Sequence, residues 1–284
     1  PDALRIESDP AAGCADASVI VLAVPTMAVR ETAERLRPVV GDAVVVSAAK
    51  GLERGTLLRM SEVVEQALVG RIPICALSGP NLAREIATGK PAASVVAGPD
   101  ATAVAKAAAL LRRPAFRIYT SRDVVGVEIG GSLKNVIAIA AGIADGLDVG
   151  DNAKAGLMTR GLAEIARVGV ALGADPLTFA GLAGLGDLVA TCASPHGRNR
   201  TVGLALARGE RLEEIAAALG QVAEGIETTR AAVALGSRLG VELPIAEQLH
   251  EVMFAGKPPA DAIAALLARG PTDEVQGLSR GVGE

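Results

Sequence analysis

"DASVIVLAVP" at residues 16–25 is a continuous apolar run, rich in β-branched side chains, that ends at a proline. Runs of this kind are typical of strands that helices cover on both faces of a sheet. Comparable runs recur at residues 42–51, 73–80, 92–98 and 116–121. We therefore predict that residues 16–25 form the first of several buried strands.

Helical patterns separate these strand candidates. They cover residues 27–38, 56–68, 81–89 and 101–112, and Thr26 stands where the first of them would have its N-cap. Strands that alternate with helices predict a parallel, doubly wound α/β sheet. Ligands bind such sheets at the carboxyl ends of the strands, where this chain carries "AVP", "SAAKG" and "LSGPN".

The strand pattern stops near residue 122. Beyond it we predict helices at residues 124–146, 153–172, 201–208, 211–219, 225–239, 244–255 and 259–268. The polar, glycine-rich residues from about 270 onward are expected to form a loose tail. The sequence thus predicts an α/β domain at residues 1–122 and an all-helical domain at residues 123–284.

The composition excludes several classes of function. Hydrophobic residues make up 50% of the 284 residues but aromatic residues only 1%, so the core is aliphatic and no platform for stacking nucleic-acid bases exists. The net charge of −4 gives no basic surface for nucleic acid. No apolar run reaches the ~18 residues of a membrane helix, and no signal peptide is visible. We therefore expect no nucleic-acid partner and no integral membrane segment.

Cysteine and histidine are sparse. Three cysteines lie far apart, and with only two histidines they form no metal-ligand spacing, so we expect no metal site. Few, unpaired thiols indicate a reducing compartment, and we expect a cytoplasmic protein.

The stretch "EIGGSLKNVIAIAAG" at residues 128–142 places a lysine inside an apolar helix. Lys134 is either a lysine whose ammonium reaches solvent or a partly desolvated ammonium used for proton transfer, and Asn135 beside it can donate to the same ligand. Gly130 and Gly131 lie one turn earlier on the face of Lys134. They leave room there either for a flat ligand or for close packing of another element.

A second polar stretch is "GLGDLVATCASPHGRNR" at residues 184–200. If its first half is helical, Asp187 and Thr191 share one face and can hold a substrate hydroxyl or orient an ammonium. Arg198 and Asn199 offer a guanidinium and an amide, which suit a phosphate group. We interpret His196 as a loop residue and Cys192 as a packing residue.

Five motifs, in this order and at this spacing, resemble one family. They are "VLAVP", "SAAKGL", "LSGPN", "GGSLKNVIAIAAG" and "GLGDLVATC…GRNR", and the likeness runs from about residue 16 to residue 268. The chain is similar to NAD(P)-dependent glycerol-3-phosphate dehydrogenases of the bacterial type. The resemblance implies a Rossmann-like sheet domain, NAD or NADP as cofactor, and reversible reduction of dihydroxyacetone phosphate to sn-glycerol 3-phosphate for phospholipid synthesis.

The resemblance also implies roles for individual residues. Lys134 would be the general acid/base and Asp187 its catalytic partner. The implied substrate-binding residues are Lys50, Gly79, Lys134, Asn135, Asp187, Thr191, Gly197, Arg198 and Asn199. The implied cofactor-binding residues are Pro25, Lys50, Asn81, Ala83, Arg198, Val222 and Glu224. The implied partner is a phosphorylated triose, and the expected assembly is a homodimer.

The chain departs from the family at three places. The family usually has Ser or Thr where Asn81 stands and often Ser where Gly197 stands. It also opens with a strand and a G-x-G-x-x-G turn that binds the pyrophosphate, and no such turn occurs here. Because residue 1 is Pro rather than Met, we expect the first strands and this turn to precede Pro1, so that the sheet domain is N-terminally incomplete.

Two alternatives remain open at this point. The chain can be another lysine-based dehydrogenase, of the 6-phosphogluconate or β-hydroxyacid type. It can also be a non-catalytic fragment that binds a phosphorylated metabolite. The sequence gives no preference between NAD and NADP.

Overall fold

A computed structural model describes residues 4–195, 197–219, 223–271, 273–274 and 277. Its five strands are β1 (Val19–Leu22), β2 (Val44–Ser47), β3 (Ile74–Ser78), β4 (Ala92–Ala97) and β5 (Phe116–Ser121). The helices up to the last strand are α1 (Pro10–Cys14), α2 (Val29–Leu36), α3 (Met60–Leu68), α4 (Ala83–Ala87) and α5 (Ala101–Leu111). Those that follow are α6 (Val124–Gly146), α7 (Asp151–Ala171), α8 (Asp187–Ala193), α9 (Arg198–Ala207), α10 (Leu212–Leu219), α11 (Glu224–Leu239), α12 (Pro244–Phe254) and α13 (Pro259–Leu267).

The strands form one sheet in the order β1-β2-β3-β4-β5. Side chains of β2 point alternately to the two faces, with Val45 packed on α2 and α3 and its neighbours Val44 and Val46 packed on α5. The sheet is therefore covered on both faces. The predicted doubly wound α/β architecture, followed by helices, is confirmed.

One strand pair differs from the parallel pattern. β3 and β4 are antiparallel, whereas the other three pairs are parallel. The helix between them, α4, has five residues and is about 7.5 Å long, against about 17 Å for a five-residue strand. It is too short to return the chain along the sheet, so β4 starts at the end where β3 stops.

The edge strand β5 carries Tyr119, which is 47% exposed. The guanidinium of Arg117, two residues earlier on the same face, lies 5.0 Å from the centre of the tyrosine ring.

Two predicted helix starts need correction, and one helix was not predicted. α3 begins at Met60 rather than at residue 56, because Leu57 has a positive φ of 62° and residues 52 and 59 form an isolated antiparallel bridge. Thr26 opens a short 3-10 turn, Thr26–Ala28, and its side chain makes no capping bond to the helix. α1 was not predicted, although Asp9 accepts a hydrogen bond from the amide of Ala11 at its start.

α6 is the central helix of the second half. Every residue from Gly126 to Ile139 is buried, and α7, α8, α9 and α11 pack around it. By length and composition α6 is apolar enough to cross a membrane, with a mean hydropathy of 1.5. However, 83% of the apolar window is buried within the protein. The expectation that no apolar segment is as long as a membrane helix is therefore wrong, because α6 meets both the length and the composition. Its burial shows that α6 is a core helix of this protein.

Candidate active site

The buried ammonium of Lys134 is at the centre of the site. It lies on α6 and donates hydrogen bonds to Asp187 Oδ1 and to Thr191 Oγ1, the latter over 2.7 Å. Asp187 and Thr191 are one turn apart on α8, as their spacing predicts for a helix. Lys134 is 6% exposed and Asp187 is 2% exposed. The ammonium of Lys134 is therefore desolvated and does not reach solvent.

A second ammonium shares the same carboxylate. Lys50, which follows β2, donates to Asp187 Oδ2 over 2.8 Å, to Asn81 Oδ1 over 2.8 Å and to the carbonyl of Gly79 over 3.0 Å. Asp187 therefore bridges a lysine of the sheet and a lysine of the helices. This bridge joins the two halves of the chain at the carboxyl ends of β2 and β3.

The backbone at Gly79 is one that glycine alone adopts easily. Its φ is +126°, and a Cβ there would lie 3.0 Å from the Cα of Ser94 and 3.3 Å from the carbonyl oxygen of Ala93. This conformation turns the chain sharply after β3. The turn places the Gly79 carbonyl against Lys50.

Gly130 and Gly131 allow close packing rather than leaving room for a ligand. A Cβ on Gly130 would lie 2.6 Å from the carbonyl oxygen of Ala183, and one on Gly131 would overlap the hydroxyl of Ser78 at the end of β3. A Cβ on Gly131 would also lie 3.7 Å from Lys50 Cδ. Gly131 thus lets the end of β3 approach α6 next to Lys134, and Gly130 lets the turn before α8 approach it.

The electrostatics of the cluster favour loss of a proton from Lys134. Burial and, after it, the positive charge of Lys50 lower the pKa of its ammonium, the negative charge of Asp187 opposes them, and the resulting pKa is about 8. An amine with a pKa near 8 exchanges a proton readily near neutral pH. The site can therefore supply a proton to, or accept one from, an oxygen placed beside Lys134.

The two asparagines of the site are bonded to each other. Asn199 Nδ2 donates to Asn135 Oδ1 over 3.0 Å, and Asn199 Oδ1 accepts a hydrogen bond of 3.1 Å from the amide of Gly225. Asn199 thus links α6, α9 and α11. A Cβ on Gly225 would lie 2.7 Å from Asn199 Oδ1, so this contact also requires a glycine.

Arg198 and Gly197 stand at the start of α9. Gly197 is the N-cap residue and is half-buried, whereas Arg198, the first helical residue, is exposed. The positive charges of Arg198, Lys50 and Lys134 all act on Glu224. Burial raises the pKa of Glu224, and a hydrogen bond of 3.4 Å from the amide of Thr26 and these three positive charges oppose the rise. Glu224 therefore faces the basic cluster from α11.

The remaining residues implied by the resemblance differ in how far the structure places them. Pro25, three residues after β1, and Ala83, at the start of α4, are exposed. Asn81 is half-buried and bonded to Lys50. Val222 lies outside the described residues, as does His196.

Sequence reasoning missed a buried carboxylate on α6. Glu128 accepts hydrogen bonds from Arg59 Nη1 over 2.7 Å, from the Ser61 amide over 2.8 Å and from the Ser61 hydroxyl over 2.5 Å. Burial raises the pKa of Glu128, although these bonds oppose the rise. The group fastens the start of α3 to α6. A charged residue within an apolar helix is the signal that would have identified it.

A groove of about 1010 Å³ lies between α7, α12 and α13. Its walls are mostly aliphatic, and its charged lining residues are Arg160, Glu164, Arg167, Glu242 and Arg269. None of its lining residues belongs to the Lys134 cluster. The groove therefore has no part in the chemistry considered for this site.

Among the described residues, no group of three or more His, Cys, Asp and Glu side chains is placed to hold a metal ion. The described thiols of Cys75 and Cys192 are buried, and burial raises their pKa to about 11 and about 12. Cys192 is thus a packing residue beside Thr191.

Comparison with known families gives matches to both parts of the chain. Residues 1–104 match the family described as NAD-dependent glycerol-3-phosphate dehydrogenase N-terminus. Residues 123–264 match the family described as NAD-dependent glycerol-3-phosphate dehydrogenase C-terminus.

Similar proteins carry the same description. The glycerol-3-phosphate dehydrogenase (NAD(P)+) of Parafrankia sp. (strain EAN1pec) is 51% identical over 276 residues, which are 96% of this chain and 83% of that protein. The protein of the same name from Moorella thermoacetica is 48% identical over 92% of this chain and 77% of its own length.

The fold is also that of solved structures. The crystal structure of glycerol-3-phosphate dehydrogenase from Coxiella burnetii superposes with a TM-score of 0.90 at 37% identity, over 95% of this chain and 82% of that one. A glycerol-3-phosphate dehydrogenase from Saccharomyces cerevisiae superposes with a TM-score of 0.80 at 29% identity, over 93% and 80%. The resemblance identified from the five motifs is confirmed.

Proposed function

The chain belongs to the NAD-dependent glycerol-3-phosphate dehydrogenase family, and from this premise we propose that it reduces dihydroxyacetone phosphate to sn-glycerol 3-phosphate with NADH or NADPH. The observation that carries the proposal is the carboxylate of Asp187, shared between Lys134 and Lys50 where the sheet meets the helices. In this cluster the ammonium of Lys134 is desolvated and has a pKa near 8. A ketone reductase needs such a group to donate a proton to the substrate oxygen.

The residues present fit the nicotinamide end of a dinucleotide. Pro25 and Asn81 follow the carboxyl ends of β1 and β3, where ligands of doubly wound sheets bind, and Glu224 contacts the same region through the Thr26 amide. We assign Pro25, Lys50, Asn81, Ala83, Arg198, Val222 and Glu224 to cofactor binding. The bound nicotinamide supplies the hydride.

Lys134 supplies the proton. Its Nζ donates to the carbonyl oxygen of the substrate as hydride reaches the carbonyl carbon, so that one C–H and one O–H bond form and the C=O double bond becomes single. In the reverse direction neutral Lys134 accepts the hydroxyl proton. Asp187 stabilises the ammonium before transfer, and Thr191 holds Nζ on the side of α8.

The phosphate group is assigned to the start of α9. Arg198 and the amides of the first turn present positive charge there, and Asn199 is fixed by Asn135 and Gly225. We assign Lys50, Gly79, Asn135, Gly197, Arg198 and Asn199 to substrate binding, together with Asp187 and Thr191. Residues 1–122 then serve mainly the cofactor, and residues 123–284 the substrate and the proton.

The direct test is the loss of nicotinamide absorbance when the protein is mixed with dihydroxyacetone phosphate and either NADH or NADPH. Turnover with at least one cofactor is the expected result. Activity on a hydroxyacid or sugar acid without activity on dihydroxyacetone phosphate would instead support a different lysine-based dehydrogenase. If calorimetry shows phosphate-ester binding but no nicotinamide binding, the chain is a non-catalytic binding protein and the proposal is wrong.

We further propose that the enzyme is a cytoplasmic homodimer that supplies phospholipid synthesis. Cys14, Cys75 and Cys192 are all free thiols, which suits a reducing compartment. Sedimentation equilibrium gives the oligomeric state, and a monomer at all protein concentrations would rule out the dimer.

A further inference from the structure

Asp145, near the end of α6, holds two cations from two other helices. Lys154 Nζ, on the first turn of α7, lies 2.7 Å from Asp145 Oδ1, and Arg200 Nε, on the first turn of α9, lies 2.6 Å from Oδ2. The three side chains are between 18% and 22% exposed, so solvent screens these pairs less than surface pairs. Burial opposes ionisation of Asp145, but the bonds from Lys154 and Arg200 keep its pKa below the usual value.

Asp145 is too far from Lys134 to touch the substrate. At 1.5 Å per residue, it lies about 16 Å farther along α6. Arg200 connects Asp145 to the phosphate-binding segment, because it lies two residues after Arg198 and next to Asn199 on α9.

The distance between α9 and α6 is set by two glycines. A Cβ on Gly142 would overlap the carbonyl oxygen of Arg200, and one on Gly203 would overlap that of Ile139. Such backbone contact fixes how near the helices approach, and directional bonds at the start of α9 oppose its rotation on α6. Asn199 to Asn135 is one such bond, and Arg200 Nε to Asp145, farther along α6, is another.

We propose that Asp145 is a positioning residue that sets the rotation of α9 through Arg200, so that Arg198 and Asn199 face the Lys134 cluster and hold the phosphate of the substrate. This role rests on the proposed function, because it concerns the affinity for a phosphorylated substrate. It predicts that the Asp145–Arg200 pair affects substrate binding and leaves proton transfer and cofactor binding alone.

The test is Asp145→Asn, which keeps the size of the side chain and removes its charge. We expect the KM for dihydroxyacetone phosphate to rise about 3- to 10-fold, the range for weakening a charge-assisted contact that orients a phosphate-binding group. The KM for the nicotinamide cofactor and kcat should stay within about twofold. Arg208→Gln is the matched control, since it breaks an exposed ion pair with Glu210 at the other end of α9 and should leave all three parameters unchanged.

A double-mutant cycle separates positioning from general destabilisation. Arg200→Gln should raise the same KM by a similar factor, and the double variant should be no worse than either single one. Lys154→Gln removes the other cation and leaves the bond to α9, so it should change thermal stability more than KM. If Asp145→Asn fails to fold, the comparison of Arg200→Gln with Lys154→Gln carries the same test.

Several results would overturn the proposal. One is an unchanged KM for dihydroxyacetone phosphate in Asp145→Asn. Another is a change in kcat or in the KM for the cofactor that is as large as the change in the KM for dihydroxyacetone phosphate. If the wild-type protein does not reduce dihydroxyacetone phosphate at all, the proposed function fails separately. In that case calorimetric affinity for dihydroxyacetone phosphate, compared between wild type and Asp145→Asn, still decides the positioning role.

Discussion

An ammonium that is buried beside a second ammonium gives up its proton more easily than one in water, and Lys134 is in this position. Lys50 is held next to it because both donate to one carboxylate. At the scale of single residues, the chemistry of this protein therefore depends on Asp187, which accepts a hydrogen bond from Lys134 at one carboxylate oxygen and from Lys50 at the other.

Replacing Lys134 by methionine should remove the proton donor and keep the packing of the side chain. We expect turnover of dihydroxyacetone phosphate to fall about 10²-fold or more. Steady-state kinetics with saturating cofactor measure the loss. Lys106→Met on the exposed face of α5 is the control and should be as active as the wild type. Near wild-type turnover in Lys134→Met would remove this residue from the mechanism.

The pKa of Lys134 predicts opposite pH profiles for the two directions of the reaction. Reduction needs the protonated ammonium, so kcat/KM for dihydroxyacetone phosphate should fall as the pH rises through about 8. Oxidation of glycerol 3-phosphate needs the neutral amine, so its kcat/KM should rise through the same range. Profiles measured in both directions with one enzyme preparation check this, and two profiles of the same sense would contradict it.

Asp187→Asn should shift these profiles. Removing the carboxylate leaves the two ammonium groups without the charge that opposes their repulsion, so the pKa of Lys134 should fall below about 8. The inflection of kcat/KM for reduction then moves to lower pH. Thr191→Val removes a neutral acceptor from Lys134 and should move the inflection less. An inflection that stays in place in Asp187→Asn would show that another group titrates.

The sequence predicts part of this cluster and leaves part of it open. The four-residue spacing of Asp187 and Thr191 follows from helix geometry, and Lys134 was recognisable as a charge in an apolar helix. The bond from Lys50 to Asp187 was not predictable from spacing, because 137 residues separate them and the packing of α8 and of β3 on α6 brings them together. The hydrogen bond between Asn135 and Asn199 depends on helix packing in the same way.

At the scale of elements, glycines decide where α6 meets the sheet. Gly131→Ala should destabilise the protein, because its Cβ would overlap the Ser78 hydroxyl at the end of β3. Gly156→Ala on α7 meets nothing within 4 Å and should stabilise by about 1 kcal/mol, since alanine favours helix over glycine. Urea denaturation of both variants measures the difference. Equal changes in stability would show that α6 can move away from the sheet at no cost.

The secondary structure shows where local patterns are sufficient. The predicted bounds of α6 and β5 equal the observed ones, because each has a long periodic run with a clear stop. The start of α3 and the antiparallel pairing of β4 were missed, since each depends on a loop geometry: the positive φ of Leu57 in one case and the shortness of α4 in the other. The π-helical turn at Leu182–Gly186, just before α8, likewise has no signal in the hydrophobic pattern.

At the scale of the whole molecule, Glu164 in the groove between α7, α12 and α13 makes the stability of the protein depend on pH. Glu164 accepts hydrogen bonds from the amides of Ile245 and Ala246, yet burial raises its pKa to about 7. Between about pH 4.5 and 7, Glu164 is therefore protonated in the folded protein and ionised in the unfolded chain. Stability should therefore fall across this range as the pH rises, by an amount on the order of 3 kcal/mol.

Glu164→Gln tests this term. The amide does not titrate, so the free energy of unfolding of the variant, measured in urea at a series of pH values, should lack the decline between about pH 4.5 and 7. Glu251→Gln, at an exposed position of α12, should keep the decline. If both variants follow the wild type, Glu164 is ionised throughout this range.

The edge strand β5 has an optical consequence. The chain contains one tyrosine, Tyr119, and no tryptophan, so its intrinsic fluorescence comes from one ring at the rim of the sheet. The far-ultraviolet circular dichroism comes mostly from α6 and the helices after it. The two signals report on separate halves of one chain, so coincident melting curves would demonstrate cooperative unfolding without any added label. For the same reason, the emission of bound NADH can be followed with no tryptophan background.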